Sequence, residues 1–112
     1  FTKGKSCDTF GPIGPWLVTP DEIADPQKLG LRLMVNGETR QDGNTADMIF
    51  GVVYSVAYLS QFMTLHPGDI IATGTPAGVG LGMDPPTFLK AGDEVVLEVD
   101  GLGQQRMIVA QG

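Results

Sequence analysis

Leu31, Leu33 and Val35 alternate with Arg32 and Met34, a two-residue period that predicts a strand. Asn36-Gly37 follows directly, and this pair favours a tight hairpin because both central residues of a type I′ turn need positive φ. The return strand is placed over Glu38 to Gln41. The period then changes. Met48, Ile49, Val52, Val53, Val56, Leu59, Phe62 and Met63 recur at three- and four-residue spacings. That spacing predicts a helix capped by Asn44 or Thr45 and running to about Leu65, with its apolar stripe in the core. Pro67-Gly68 stops it, and Asp69 to Thr73 reads as a buried strand that opens into a Gly-rich loop over Gly74 to Gly82. Two further strands, Glu94 to Val99 and Gln105 to Val109, flank a tight turn at Asp100-Gly101-Leu102-Gly103. Near the N-terminus Gly4, Gly11, Pro12, Gly14, Pro15 and Pro20 predict mostly loop, with one short helix capped by Thr19, opening on Asp21 and Glu22 and ending before Pro26. The expected fold is α+β, a mainly antiparallel sheet with one principal helix.

Composition narrows the function classes. Sixteen glycines and eight prolines in 112 residues fit a β-rich chain with many turns and one small domain. Thirteen acids against seven bases give a formal charge of −6, with no basic run or basic-aromatic stripe, so nucleic acid and anionic membrane surfaces are excluded as expected partners. A small anionic ligand stays open, because one local lysine can override a screened net charge. Cys7 is the single cysteine, which removes intrachain disulfides and multi-cysteine zinc sites and favours a reducing, cytoplasmic setting. No secretory segment or apolar run of about 20 residues is present.

Two stretches are chemically suggestive. Lys3-Gly4-Lys5-Ser6-Cys7-Asp8-Thr9 gathers lysines, hydroxyls and glycine on a loop that could grip an anion, although by itself the stretch reads first as a solvated loop. It is no phosphate-binding P-loop, since the glycine spacing and following pattern are wrong. Thr73-Gly74-Thr75-Pro76-Ala77-Gly78-Val79-Gly80 leaves the end of an apolar segment, where Thr75 offers a hydroxyl and an N–H to a carboxylate and Gly74 allows close approach. The competing reading is a turn that needs only positive φ. His66 fits the ordinary role of a histidine at a helix end, and Cys7 lacks a base partner nearby in sequence. Asp42, Asp47, Asp84 and Asp93 are scattered without metal-ligand spacing, and capping and turn roles explain them.

Taken in order, these stretches resemble the fumarylacetoacetate hydrolase family. Gly4-Lys5-Ser6 with Thr9 is similar to the family's G-K-S segment, and Gln41-Asp42-Gly43-Asn44-Thr45 with Met48 to its Q-x-x-N-T-x-x-M helix entry. Leu65-His66-Pro67-Gly68-Asp69-Ile70-Ile71, Thr73-Gly74-Thr75-Pro76 and Gly78-Val79-Gly80 resemble its L-x-P-G-D-x-I-x-T-G-T-P-x-G-V-G pattern, which Phe88-Leu89-Lys90-Ala91-Gly92-Asp93 and Gly101-Leu102-Gly103 complete. The wording of Cys7 to Pro12, Pro85-Pro86 and Gly103 to Arg106 looks nearest to bacterial members acting on diketo-deoxy sugar acids or resembling ureidoglycolate lyases.

The resemblance implies a mixed, mainly antiparallel β-sheet roll, with residues 1–112 forming the C-terminal part of a single catalytic domain. It implies Mg²⁺ or Mn²⁺ chemistry on 2-keto or 2,4-diketo acids (C–C hydrolysis, which is the reaction expected here, or decarboxylation, isomerisation or hydration) and a homodimer. Matched by motif, Lys5 is the expected catalytic lysine, Thr75 and Gly74 the expected substrate-carboxylate site, and Thr9 a residue near the metal. The family's Glu-x-Glu ligands, a third metal-binding Asp and a His-Glu water-activating pair have no counterpart here. An upstream segment of the same polypeptide is therefore an expected partner, without which this chain is expected to be inactive. The alternative is a non-catalytic binding or oligomerising domain that keeps the fold without the metal site.

Overall fold

The computed structural model describes residues 2–111 and contains a four-stranded antiparallel sheet and one α-helix. Strand β1 (Gly30–Val35) turns through Asn36-Gly37 into β2 (Glu38–Asn44), and β3 (Glu94–Val99) turns into β4 (Gly103–Ile108). The spatial order is β2-β1-β3-β4, so two sequential hairpins meet along β1 and β3. Asn36 and Gly37 hold φ of 52° and 80°, the left-handed pair that the hairpin requires. Asn36 also ties the hairpins together. Its backbone N–H donates to Glu94 O, its side-chain oxygen accepts from Glu94 N, and its amide donates to Asp93 Oδ1, each at 2.9 Å. At the other end of the β1–β3 pair, Gly30 N donates to Asp100 Oδ2 at 2.8 Å while Asp100 N donates to Gly30 O.

The predicted hairpins stand, with three adjustments at the edges. β2 continues past Gln41 to Asn44, because the ladder with β1 runs on to the Gly30–Asn44 pair after a register shift between Leu33 and Met34. β4 begins at Gly103, which pairs with Val99. The segment around Asp21 is a turn closed by Glu22 N to Thr19 O at 3.0 Å, not a short helix.

The principal helix differs more. α1 is Val52–Leu59, and irregular turns carry its winding only as far as Met63 N to Leu59 O. Asn44 does cap a helical turn, its side chain accepting from Ala46 N, but that turn is a 3₁₀ segment over Thr45–Asp47 and Met48 leaves it at ψ 131°. Thr45 is committed elsewhere: its hydroxyl donates to Pro26 O and accepts from Leu29 N. Gly51 then restarts the helix without a side-chain cap. Gln27 supplies that function, accepting from Val52 N at 2.8 Å and donating to Thr45 O. The expected buried strand over Asp69 to Thr73 is also absent. This stretch has no strand pairing, and Ile70 is 72% exposed.

The helix stripe is not core in this chain. α1 has no buried residue, and Ile49, Val53, Tyr54, Tyr58, Phe62 and Met63 are all exposed. Val35 and Val95, which face each other across β1 and β3, are the buried apolar side chains among the described residues. The accessible surface is 8952 Å². A compact monomer of this mass would show about 5,900 Å². One sheet and one short helix thus leave an apolar face unclosed.

Candidate functional site

The Gly-rich stretch after Ile71 is fastened to β2 by a single side chain. Gln41 is 8% exposed, the one buried polar residue among those described. Its Nε2 donates to Thr75 Oγ1 at 2.8 Å, Pro76 O at 2.9 Å and Ala77 O at 3.3 Å. Two residues along the strand, on the same face, Gly43 leaves room for the Pro76 ring; an added Cβ would lie 2.9 Å from it. Gly78 has φ 103° and approaches the Arg40 carbonyl so closely that no side chain fits. Thr75 to Gly78 therefore lies flat on β2 with its backbone fixed.

Beyond that loop is a cavity of about 1040 Å³. One wall is the loop Ile71 to Ala77, which includes Gly74 and Thr75. A second is the end of β2 with Asp42, Gly43 and Asn44, and the third is Ile49 and Phe50 with Tyr54, Ser55 and Tyr58 of α1. The aromatic wall is ordered by four-residue spacing. Phe50 stacks on Tyr54 with centroids 5.2 Å apart, Tyr54 on Tyr58 at 6.0 Å, and Phe62 meets Tyr58 at 5.0 Å. Of the residues expected to form a core stripe, Met48, Ile49 and Leu59 line this space, which is large enough for a small organic acid; Phe50, Tyr54 and Tyr58 beside them lie outside that stripe.

Both expected substrate-binding residues, Thr75 and Gly74, thus stand on one cavity wall. Gly74 has φ 94°, so the backbone there needs glycine. Lys5 and Thr9 are not on that wall. They lie on the exposed loop that follows the 3₁₀ turn Thr2–Gly4, where Lys5 N and Ser6 N both donate to Thr2 O. The chain after this loop docks at the opposite edge of the sheet: Gln105 of β4 donates to Gly14 O, and the Trp16 ring covers Gly103. Thr9 holds φ 67° in the turn closed by Phe10 N to Cys7 O, an uncommon conformation for a β-branched residue. The Cys7 thiol is exposed and contacts Lys3 O. His66 N donates to Asp69 Oδ2 at 2.7 Å, a turn brace around Pro67-Gly68.

Among the described residues, no group of three or more His, Cys, Asp or Glu is gathered to hold a metal. The two carboxylates on the cavity wall are Asp42 and Asp47, and Asp42 lies 3.7 Å from the Arg32 guanidinium. A Mg²⁺-like ion takes close to six oxygen ligands, so these residues do not form a metal centre by themselves. Shifted carboxyls lie in turns instead. The Asn36 amide, then the Lys90 N–H, hold Asp93 below its usual range; the Gln27 N–H does so for Asp25 and the Thr19 hydroxyl for Asp21.

Sequence reading placed Gln41 at the end of the return strand and in the motif that resembles a helix entry, but gave it no role in the site. The signal was the two-residue period of Gln41 and Gly43, which becomes readable once β2 is extended to Asn44.

The family model described as fumarylacetoacetate (FAA) hydrolase C-terminal matches residues 1–110. A protein of Burkholderia ambifaria is 64% identical over 104 residues, which cover 92% of this chain and 37% of that protein. A fumarylacetoacetate hydrolase from psychrophilic Exiguobacterium antarcticum superposes with a TM-score of 0.94 at 45% identity, over 98% of this chain and 39% of that one. Maleylpyruvate hydrolase from Sphingobium sp. SYK-6, solved with manganese(II) and pyruvate, gives 0.85 at 44% identity, over 94% and 37%. The chain thus spans well under half the length of the relatives it matches. No described helix is long and apolar enough to cross a membrane.

Proposed function

The chain belongs to the fumarylacetoacetate hydrolase family, and on that premise we propose that it supplies the substrate-carboxylate wall and the catalytic lysine of an enzyme that hydrolyses a C–C bond in a 2-keto or 2,4-diketo acid. The observation that carries this reading is the placement of Thr75 and Gly74 together on the wall of a cavity of about 1040 Å³. A hydroxyl, a glycine-flanked backbone N–H and an aromatic wall match a small acid with one charged end and an apolar or conjugated remainder. The structure of a relative holding manganese(II) and pyruvate supports both the oxo-acid class and a divalent cation. On this reading Mg²⁺ or Mn²⁺ is held by carboxylates that this chain does not contribute, supplied by an upstream segment of the polypeptide, and the working unit is a homodimer.

Within this chain Thr75 and Gly74 bind and orient the substrate carboxylate. The ammonium of Lys5 is the group that stabilises negative charge developing on the keto oxygen, which requires the upstream segment to bring its loop to the cavity. In the full-length protein Lys5→Ala is expected to lower turnover of an acylpyruvate by about 100-fold or more with the melting temperature unchanged. A near-normal rate would remove Lys5 from the mechanism. Mn²⁺ is expected to raise the melting temperature of the full-length protein. No such rise, together with no turnover, would favour a binding domain that keeps the fold without the chemistry.

A further inference from the structure

We infer that Gln41 is a positioning residue for the acid-binding site, fixing the Thr75 hydroxyl so that its proton points into the cavity. The inference rests on Thr75 as the carboxylate-binding residue. Gln41 lies behind the cavity wall, buried, and reaches the loop with its Nε2 alone. Two of the three contacts, Pro76 O and Ala77 O, are carbonyls that can only accept, which settles that the amide nitrogen faces the loop. An amide nitrogen has no lone pair to offer. Thr75 Oγ1, 2.8 Å away, therefore accepts from Gln41 and cannot donate to it. The threonine proton is left for a partner on the other side, where Thr75 lines the cavity. Without this contact the hydroxyl would be free to rotate and donate to a neighbouring carbonyl, as the Ser60 hydroxyl does to Ala57 O.

The same three contacts also hold the loop against β2, so the test must separate orientation from stability. We would titrate pyruvate by calorimetry into the full-length protein saturated with Mn²⁺, comparing Thr75→Val, Gln41→Met and the double variant, with a thermal melt on each. Loss of one charge-assisted hydrogen bond weakens binding by about ten-fold. The expected result is that each single variant loses about ten-fold and the double variant loses no more than either, since both remove the same donated proton.

Gln41→Glu, nearly isosteric, supplies a second readout if Gln41→Met fails to fold. Its ionised carboxylate would accept the Thr75 proton and turn it inward. Protonation restores a donor, so pyruvate affinity relative to wild type should recover on acidification, and this recovery should vanish when Thr75→Val is added, whereas a carboxylate that merely repels the Pro76 and Ala77 carbonyls would recover in both backgrounds. Wild-type affinity in Gln41→Met, additive losses in the double variant, or a flat pH ratio in Gln41→Glu would overturn the role of Gln41 and leave that of Thr75 standing. Wild-type affinity in Thr75→Val would overturn the carboxylate site itself, and this inference with it.

Discussion

Asn36 and Asp93 show how much one side-chain pair can carry. Asn36 adopts the left-handed turn conformation, clasps Glu94 through backbone and side chain, and donates to the Asp93 carboxylate. Asp93 accepts a second bond from Lys90 N at 2.8 Å, so its ionised form is favoured in the folded state and its pKa sits below the ordinary 3.8. The sign follows by linkage: this contribution is present above 3.8 and is lost as pH falls through the lower folded-state value. Asp93→Asn should therefore flatten the acid limb of a denaturation-midpoint profile below pH 3.8. Parallel limbs for variant and wild type would remove Asp93 from the acid response. Asn36 was legible in advance because its turn chemistry is local. Gln41 was not, because its partners lie 34 to 36 residues away.

α1 exists in this position because Gln27 holds it. Eight residues are too few for a stable isolated helix, and the stretch carries no cap of its own at Gly51. Gln27 bridges the Val52 N–H and the Thr45 carbonyl, joining the helix start to the 3₁₀ turn that ends β2. Gln27→Ala leaves the first helical N–H without its acceptor, a loss of about 1 kcal/mol. Amide exchange in Val52–Leu59 should accelerate about five-fold, with β1 and β3 protection unchanged. Equal acceleration in the sheet would show that Gln27 supports the whole fold. The three-to-four-residue period located this helix correctly but overextended it, since periodicity reports which residues share a face and not where winding begins. Gly51 and the extended Met48 were the boundary, and Thr45 was unavailable as a cap because the Pro26 to Leu29 loop occupies its hydroxyl.

At the scale of the molecule, an excess of about 3,000 Å² over a compact monomer lies in the range of obligate interfaces. Much of it is apolar, including Ile49 at 92% exposure and the Phe50, Tyr54, Tyr58 and Phe62 ladder. A patch of this kind does not stay open to water. The 112-residue chain alone is therefore expected to bind a hydrophobic dye strongly and to sediment as concentration-dependent oligomers. A dye-silent, monomeric 112-residue chain would mean that the stripe closes on its own.

The sequence by itself determined the two hairpins, the α+β class and the family. The hairpins and the class rest on local physics, a two-residue period and an Asn-Gly turn, and the family on the resemblance carried by an ordered run of motifs. Only the tertiary structure decided that Gln41 locks the Thr75 loop to β2, that Phe50, Tyr54 and Tyr58 form a cavity wall, and that Lys5 stands off that wall. These depend on which segments distant in sequence come to lie side by side, and hydrophobic periodicity marks a residue as wanting cover without saying what will cover it.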